Sequence, residues 1–274
     1  MTYDSRTIAT DDASLAAYSA LFARTVGTVE RDYLRWLYAD NPRGAVVGFN
    51  AYAGDELAAH YATVPVAGLV DGVSARGLLS LNTATHPSHQ GKGLFTRLAE
   101  ETYAHAREAG YDFVVGVANA SSTPGFTRKL GFQLVTPLDV LVGAGSCAAS
   151  TGDVGFSLAW DEPALRWRLA RPRARYFASK DGGVHVHTQK AGILAYMTHA
   201  PAAVVAGLPK PPLTAPLRMW IGIDPKLTKR GVLAPLPDKL KPSPLNLIFR
   251  DLTGKGRQLS RDNARFTLLD FDAY

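Results

Sequence analysis

The chain has 274 residues, with 30 Lys and Arg against 24 Asp and Glu for a formal net charge of +6. That length fits one large domain or two small ones, and 46% hydrophobic with 20% charged residues predicts a soluble globular protein with a sizeable core. No apolar run reaches the roughly 18 residues of a membrane helix, the start Met1-Thr-Tyr-Asp-Ser-Arg6 has no apolar signal core, and the lone cysteine, Cys147, excludes an intrachain disulfide or a cysteine-based zinc site, so a cytoplasmic location is expected.

In chain order, Asp11 and Asp12 cap a predicted helix with Leu15, Tyr18, Leu21 and Phe22 on one side. A second helix over 32–39 stops at Asn41-Pro42-Arg43-Gly44. Strands are predicted at 45–53, 57–66 and 73–85, joined by turns at Gly54-Asp55 and Asp71-Gly72. This meander feeds Asn82-Thr-Ala-Thr-His-Pro-Ser-His-Gln-Gly-Lys-Gly-Leu-Phe-Thr-Arg97. Gly91 and Gly93 lack Cβ, so backbone N–H groups can approach an anion. The helix that follows adds orphan N–H groups and the positive end of its dipole, and Lys92 and Arg97 add charge. The loop is therefore a phosphate cradle.

That helix carries Leu94, Phe95, Leu98, Ala99, Thr102, Tyr103 and Ala106 on one face, with Gly110 as its C′ residue. A strand is predicted at 112–118, then Asn119, a short helix in Thr127-Arg-Lys-Leu-Gly131, and a strand over 132–142. The small, unpatterned stretch 144–153 reads as a linker. Beyond it, a helix is expected over 160–171 and strands at 175–177, 184–188, 193–198, 219–223, 245–249 and 266–271. Leu165-Arg-Trp167 followed by Arg171-Pro172 echoes Tyr33-Leu-Arg-Trp36 followed by Asn41-Pro42.

The order strand, Gln90-Gly91-Lys92-Gly93 loop, helix, strand, Asn119, short helix and Lys129-Leu130-Gly131-Phe132 resembles the GNAT superfamily of acyl-CoA-dependent N-acyltransferases. The resemblance covers roughly residues 1–142 and is sharpest over 78–135. It implies a mixed α/β (α+β) sheet, with a GNAT domain at 1–143, a linker at 144–153 and an α+β region at 154–274. That last region is read as a degenerate second GNAT-like half, with an unrelated α+β cap as the alternative.

The resemblance also implies acetyl-CoA or another acyl-CoA as co-substrate, with no metal. Its pyrophosphate would lie on the amides of Gln90, Gly91, Lys92, Gly93, Leu94 and Phe95. Its pantetheine arm would pair with the strand at Thr83, Ala84 and Thr85, where a backbone N–H polarises the thioester carbonyl. Asn119 and Ser122 would anchor the arm, although Asn119 equally suits a helix cap. Many relatives carry a proton-donating tyrosine four residues before the Gly of the Leu-Gly-Phe turn; here that position is Thr127, preceded by Phe126. Tyr61, Tyr176, Ser121, Ser122 or water are the replacements considered, and His86 or His60 the candidate bases. Asn82, Tyr61 and His86 complete the catalytic candidates.

The echo is closest to larger bacterial members associated with acylating amino sugars, nucleotide-linked ones among them. Pro244-Leu-Asn-Leu247 and Asp270-Phe-Asp272 contribute to it, and Arg171, Arg173 and Arg175 would be anchors for the nucleotide. A small-molecule amine acceptor is expected, as a monomer or homodimer. The scattered basic residues predict no nucleic-acid partner, and no membrane partner is expected. Alternatives are acetylation of an antibiotic, polyamine or protein lysine, and acyl-CoA binding without catalysis.

Overall fold

The computed structural model describes residues 2–148, 152–188, 192–212, 217–241 and 243–271. Strand β1 (Asp4–Thr7) leads to helices α1 (Asp12–Ala23) and α2 (Arg31–Tyr38), then to the meander β2 (Val47–Ala53), β3 (Glu56–Val70) and β4 (Val73–Thr85). A 3-10 turn (Pro87–His89) and the glycine loop open α3 (Leu94–Glu108), followed by β5 (Phe113–Ala118), α4 (Thr123–Lys129), β6 (Gln133–Pro137) and β7 (Asp139–Ala148). The second region supplies β8 (Phe156–Leu158), α5 (Glu162–Leu169), β9 (Tyr176–Ala178), β10 (Gly183–His187), β11 (Leu194–His199) and α6 (Ala202–Val205). It ends with β12 (Arg218–Ile223), β13 (Thr228–Pro235), β14 (Asn246–Asp251) and β15 (Phe266–Thr267).

Local chemistry sets these boundaries. Asp11 caps α1 by accepting the Ser14 amide at 3.0 Å. Asp71 and Gly72 take φ of 51° and 76°, the left-handed pair that a two-residue hairpin between twisted strands requires.

The first sheet runs β1-β2-β3-β4-β5-β14-β6, with β8 beside β3; the second runs β13-β7-β12-β11-β10-β9, with β15 beside β12. In each, one neighbouring pair is parallel, β4–β5 and β11–β12. Counted outward from those pairs the two sheets match strand for strand except at β1, which has no counterpart, and at the side strands β8 and β15. β14 lies beside β5 as β7 lies beside β12, with β6 and β13 at the edges. The chain is thus built from two similar halves, each lending a late strand, β7 or β14, to the other's sheet. Where α3 follows the glycine loop in the first half, the second has only Ala200, Pro201 and the four-residue α6. The repeated sequence around Trp36 and Trp167 has a structural counterpart. Trp36 Nε1 donates to the Trp167 carbonyl at 2.8 Å and Trp167 Nε1 to the Trp36 carbonyl at 2.9 Å. Their rings stack at 4.7 Å.

A shared core joins the halves. Phe113, Phe156 and Phe249, from β5, β8 and β14, have ring centroids 5.4–5.9 Å apart. Gly77 is required beneath them, because a Cβ there would fall 2.1 Å from Phe113 Cζ. No helix among the described residues is long and apolar enough to cross a membrane.

Four expectations need correction. The strand predicted at 132–142 breaks at Leu138, with β6 in the first sheet and β7 in the second. Residues 144–148, expected as linker, continue β7 and pair with β13 from Ala144↔Val232 to Ala148↔Thr228. Residues 149–151, and Asp272, lie outside the described residues. The short helix begins at Thr123, four residues earlier than the expected 127. The strand expected at 266–271 is only Phe266–Thr267, because Asp270 turns the chain by accepting the Thr267 amide at 2.6 Å.

Candidate active-site cleft

β4 and β5 pair from Gly77↔Phe113 to Ser80↔Gly116, and there the pairing ends. Leu81–Thr85 keeps its other edge on β3, so the edge facing β5 is left without a strand. The β3–β4 register also slips here: Tyr61 faces Thr83, Ala62 faces Leu81, and Asn82 is the extra residue, with φ of 48°. Such a bulge re-aims side chains, and Asn tolerates the left-handed conformation better than most residues. The splayed strands enclose a cleft of about 630 Å³. Asn82 Nδ2 is buried in its wall with no hydrogen-bond partner among the described residues.

Of the residues expected to hold acyl-CoA, Thr83, Ala84, Thr85, Gln90, Phe95, Asn119 and Ser122 line this cleft. Gly91, Lys92, Gly93 and Leu94 belong to the loop that continues from Gln90 into α3. Gly91 and Gly93 both have φ of 73°, and a Cβ on either would meet nothing within 4 Å. Open space therefore lies where a phosphate would sit. Gly93 is the N-cap of α3 and offers no side-chain cap, so the first-turn N–H groups have no acceptor from it. Leu94 is buried and can contribute only its backbone. The loop and cleft together fit the pyrophosphate and pantetheine of acyl-CoA. Arg97 does not add free charge to the loop: it pairs with Glu101 at 2.8 Å and bonds Ser5 and the Tyr3 carbonyl.

Asn119 caps α4's approach, its Oδ1 accepting the amides of Ser121 and Ser122 at 3.1 and 2.9 Å. Its own amide nitrogen is not engaged among the described residues. Phe126, rather than Thr127, lines the cleft; Thr127 Oγ1 is turned onto the Thr123 carbonyl. The wall thus presents a ring without a hydroxyl at this point.

The catalytic candidates separate. Tyr61 is fully buried and lies outside the cleft lining, so it cannot touch a substrate directly. Its hydroxyl bonds Ser80 Oγ at 2.8 Å and the Tyr103 hydroxyl, while burial pushes its pKa up to about 12. Ser80 does line the cleft, at the point where the strands part. Sequence reasoning missed it, since nothing marks one Ser within an apolar strand. Tyr103 lies beneath Arg250, whose guanidinium is 4.8 Å from the ring centroid.

His86 also lies outside the cleft lining. Its Nε2 is 3.1 Å from Arg24 Nη1 and 3.8 Å from Glu56. His60 is buried in a chain of bonds. Tyr38 meets its Nε2 at 2.9 Å and Asn50 Oδ1 its Nδ1 at 2.7 Å, while Asn50 Nδ2 donates to Tyr18 at 3.0 Å. Because Asn50 accepts, Nδ1 carries the proton and Nε2 receives Tyr38's. Desolvation lowers the His60 pKa to about 3, so it is a neutral core residue. Tyr176 bonds Arg168 in the second half. Of the arginines expected to anchor a nucleotide, Arg173 is paired with Glu30 at 2.6 Å, and Arg171 stacks over Tyr33 at 5.2 Å.

Residues 6–135 match the family described as acetyltransferase (GNAT) domain. The match spans just under half of the chain, and this part is similar to a GNAT acetyltransferase domain. Such a domain is that of acyl-CoA-dependent N-acyltransferases. No curated protein matches the sequence significantly. Among solved structures, the chain is similar to a conserved Enterococcus faecalis V583 protein described as a probable N-acyltransferase. The two share 10% identity over 92% of this chain and 73% of that one, with a TM-score of 0.59. A GCN5-related N-acetyltransferase from Kribbella flavida gives 12% identity over 91% and 71%, at 0.58. Eis1 from Mycobacterium abscessus gives 13% over 92% and 74%, at 0.56. At such identities the likeness is one of fold, and it extends across both halves of the GNAT-like chain.

Proposed function

We propose that the protein transfers an acetyl or short acyl group from acyl-CoA to a primary amine. The observation that carries this reading is the cleft itself: strands that part at Ser80, a bulge at Asn82 in its wall, and an open glycine loop at one end. Bound acyl-CoA would supply the activated thioester. The amides from Gly91 to Phe95 would hold its pyrophosphate, and the free edge of Leu81–Thr85 together with Asn119 would hold the arm. A backbone N–H on that free edge would polarise the thioester carbonyl as it gains negative charge.

Ser80 takes the place left by the missing tyrosine. Its hydroxyl reaches the cleft and is held by Tyr61, itself bonded to Tyr103, and a proton given to the leaving thiolate is replaced by the one the amine loses to cleft water. Tyr61 is in this account a positioning residue. Burial raises the pKa of Tyr61 and Tyr103, so both stay protonated and act by hydrogen bonding. The amine's proton leaves through water, since neither His60 nor His86 is placed to take it.

Among acceptors we put an amino sugar first, nucleotide-linked in particular. The surplus of basic residues, net +6, favours an anionic acceptor over a polyamine or a cationic antibiotic. A second reading, acyl-CoA binding without turnover, draws on Phe126 in the cleft wall. Coenzyme A release measured against a panel of nucleotide-linked amino sugars, free amino sugars, polyamines and lysine peptides decides between them. Release with the anionic amines alone supports the proposal; preference for polyamines replaces its acceptor, and binding without any release supports the second reading.

A further inference from the structure

Outside the cleft, three metal-ligating side chains converge at the foot of the cofactor loop. His86 and His89 bracket the 3-10 turn that runs into Gln90, and Glu56 stands at the start of β3 beside them. Their ligand atoms all lie within 4.8 Å of one another. His89 Nε2 is 3.2 Å from Glu56 Oε2, and His86 Nε2 is 3.8 Å from Glu56 Oε1. Donors about 2.1 Å from a tetrahedral ion stand roughly 3.4 Å apart, so these distances need little adjustment.

We propose that Glu56, His86 and His89 bind a borderline divalent cation of the Zn²⁺ class, leaving a fourth position for water. Two imidazoles and one carboxylate select Zn²⁺ or Co²⁺ over the oxygen-seeking Mg²⁺ and Ca²⁺. The surroundings are built for it. His89 is buried, and its Nδ1 meets the Tyr3 hydroxyl at 2.9 Å. That hydroxyl accepts from Nδ1–H when Nε2 must turn its lone pair to a metal, the outer contact that metal-bound histidines need. Glu56 is exposed and opens the site to solvent.

One group opposes a cation. Arg24, exposed at the C-terminal end of α1, sits 3.1 Å from His86 Nε2. An ion arriving there displaces this guanidinium to solvent. His86 Nδ1 also gives up a 3.3 Å contact from the Ser88 amide, a long and therefore weak bond. Once bound, the ion ties the turn before Gln90 to β3, and so fixes the entrance to the glycine loop. Metal binding stands independently of the acyltransferase reading; only its coupling to acyl-CoA rests on that reading.

The test uses tag-free full-length protein, chelator-stripped, with CoCl2 and ZnCl2 as probes and MgCl2 as control. The expected results are a visible absorption band at one equivalent of Co²⁺, bleached by Zn²⁺, and a melting temperature raised by about 5 °C at a hundredfold excess of Zn²⁺ over its dissociation constant. Glu56→Gln and His86→Ala both alter side chains with solvent access, and unchanged metal-free melting shows that each still folds. Both should lose the band and the shift. No band in the wild type, or a band and shift retained in both variants, overturns the site. If the metal binds and acetyl-CoA does not, the site stands and the coupling falls.

Discussion

Replacing Tyr61 with Phe removes one oxygen from the centre of the hydroxyl chain and leaves the ring. Packing should survive, because the T-shaped contacts with Phe95 and Tyr103 at 5.8 and 6.0 Å involve the ring alone. The loss is two hydrogen bonds, to Ser80 and Tyr103, of about 1 kcal/mol each, plus up to about 2 kcal/mol for stranding the buried Tyr103 hydroxyl. A total of about 2–4 kcal/mol, divided by an unfolding entropy of about 0.6 kcal/mol/K for 274 residues, lowers the melting temperature by about 3–7 °C. The kinetic consequence is separate. Ser80 keeps its place in the cleft but loses the bond that orients its hydroxyl, so kcat for coenzyme A release should fall about 10–100-fold, with KM for acyl-CoA unchanged. The assay is steady-state thiol release with the best amine from the panel, beside thermal melts of the same protein. An unchanged kcat in a protein destabilised as expected would refute the positioning role and leave Tyr61 a core residue.

Asn82→Gly keeps the left-handed bulge and the free strand edge, so acyl-CoA affinity should change little, checked by calorimetric titration. His60 supplies a pH signature. Its folded pKa of about 3 lies below the unfolded value near 6.5, so its stabilising contribution is complete above 6.5 and drains away as pH falls. Between pH 7 and 5 the wild type should lose about 2 kcal/mol more than His60→Gln, measured by denaturant melts. Asp270, pushed up to about 6 by burial, acts in the opposite sense and is common to both proteins. For the Trp36–Trp167 pair, a double-mutant cycle to Phe should give a coupling of about 0.5–1.5 kcal/mol; a value near zero would mean that the pair does not bind the halves together.

The first half was largely legible because its signals are local. Asp11, the Asp71-Gly72 turn, the glycine loop and Gly110 each mark a boundary where the chain requires that residue. The second half was harder, and the reason is physical. Residues 144–148 are small and show no alternation, yet they form strand because β13 approaches closely. A Cβ on the neighbouring Gly143 would lie 2.0 Å from the Val232 carbonyl. The exchange of β7 and β14 is set by partners far apart in sequence, which no local pattern encodes. In the site, the loop could be read but the catalytic side chains could not. Period-two alternation places Tyr61 and His60 on opposite faces of β3 without saying that both faces are covered. The bulge at Asn82 exists only in the pairing with β3. Phe126 and Thr127 exchange their expected places because α4 starts a turn earlier than its sequence suggests.

The central claim is that the cleft and glycine loop bind acyl-CoA. Thermal unfolding with and without acetyl-CoA tests it most directly, with Gly93→Asp as the comparison. Asp tolerates the φ of 73° at this position but sets a carboxylate against the pyrophosphate. At about a hundred times the dissociation constant the ligand should add roughly 2.7 kcal/mol, or about 5 °C, to the wild type and almost nothing to the variant. No shift in the wild type with acetyl-CoA or longer acyl-CoAs, or an equal shift in the variant, would contradict the account.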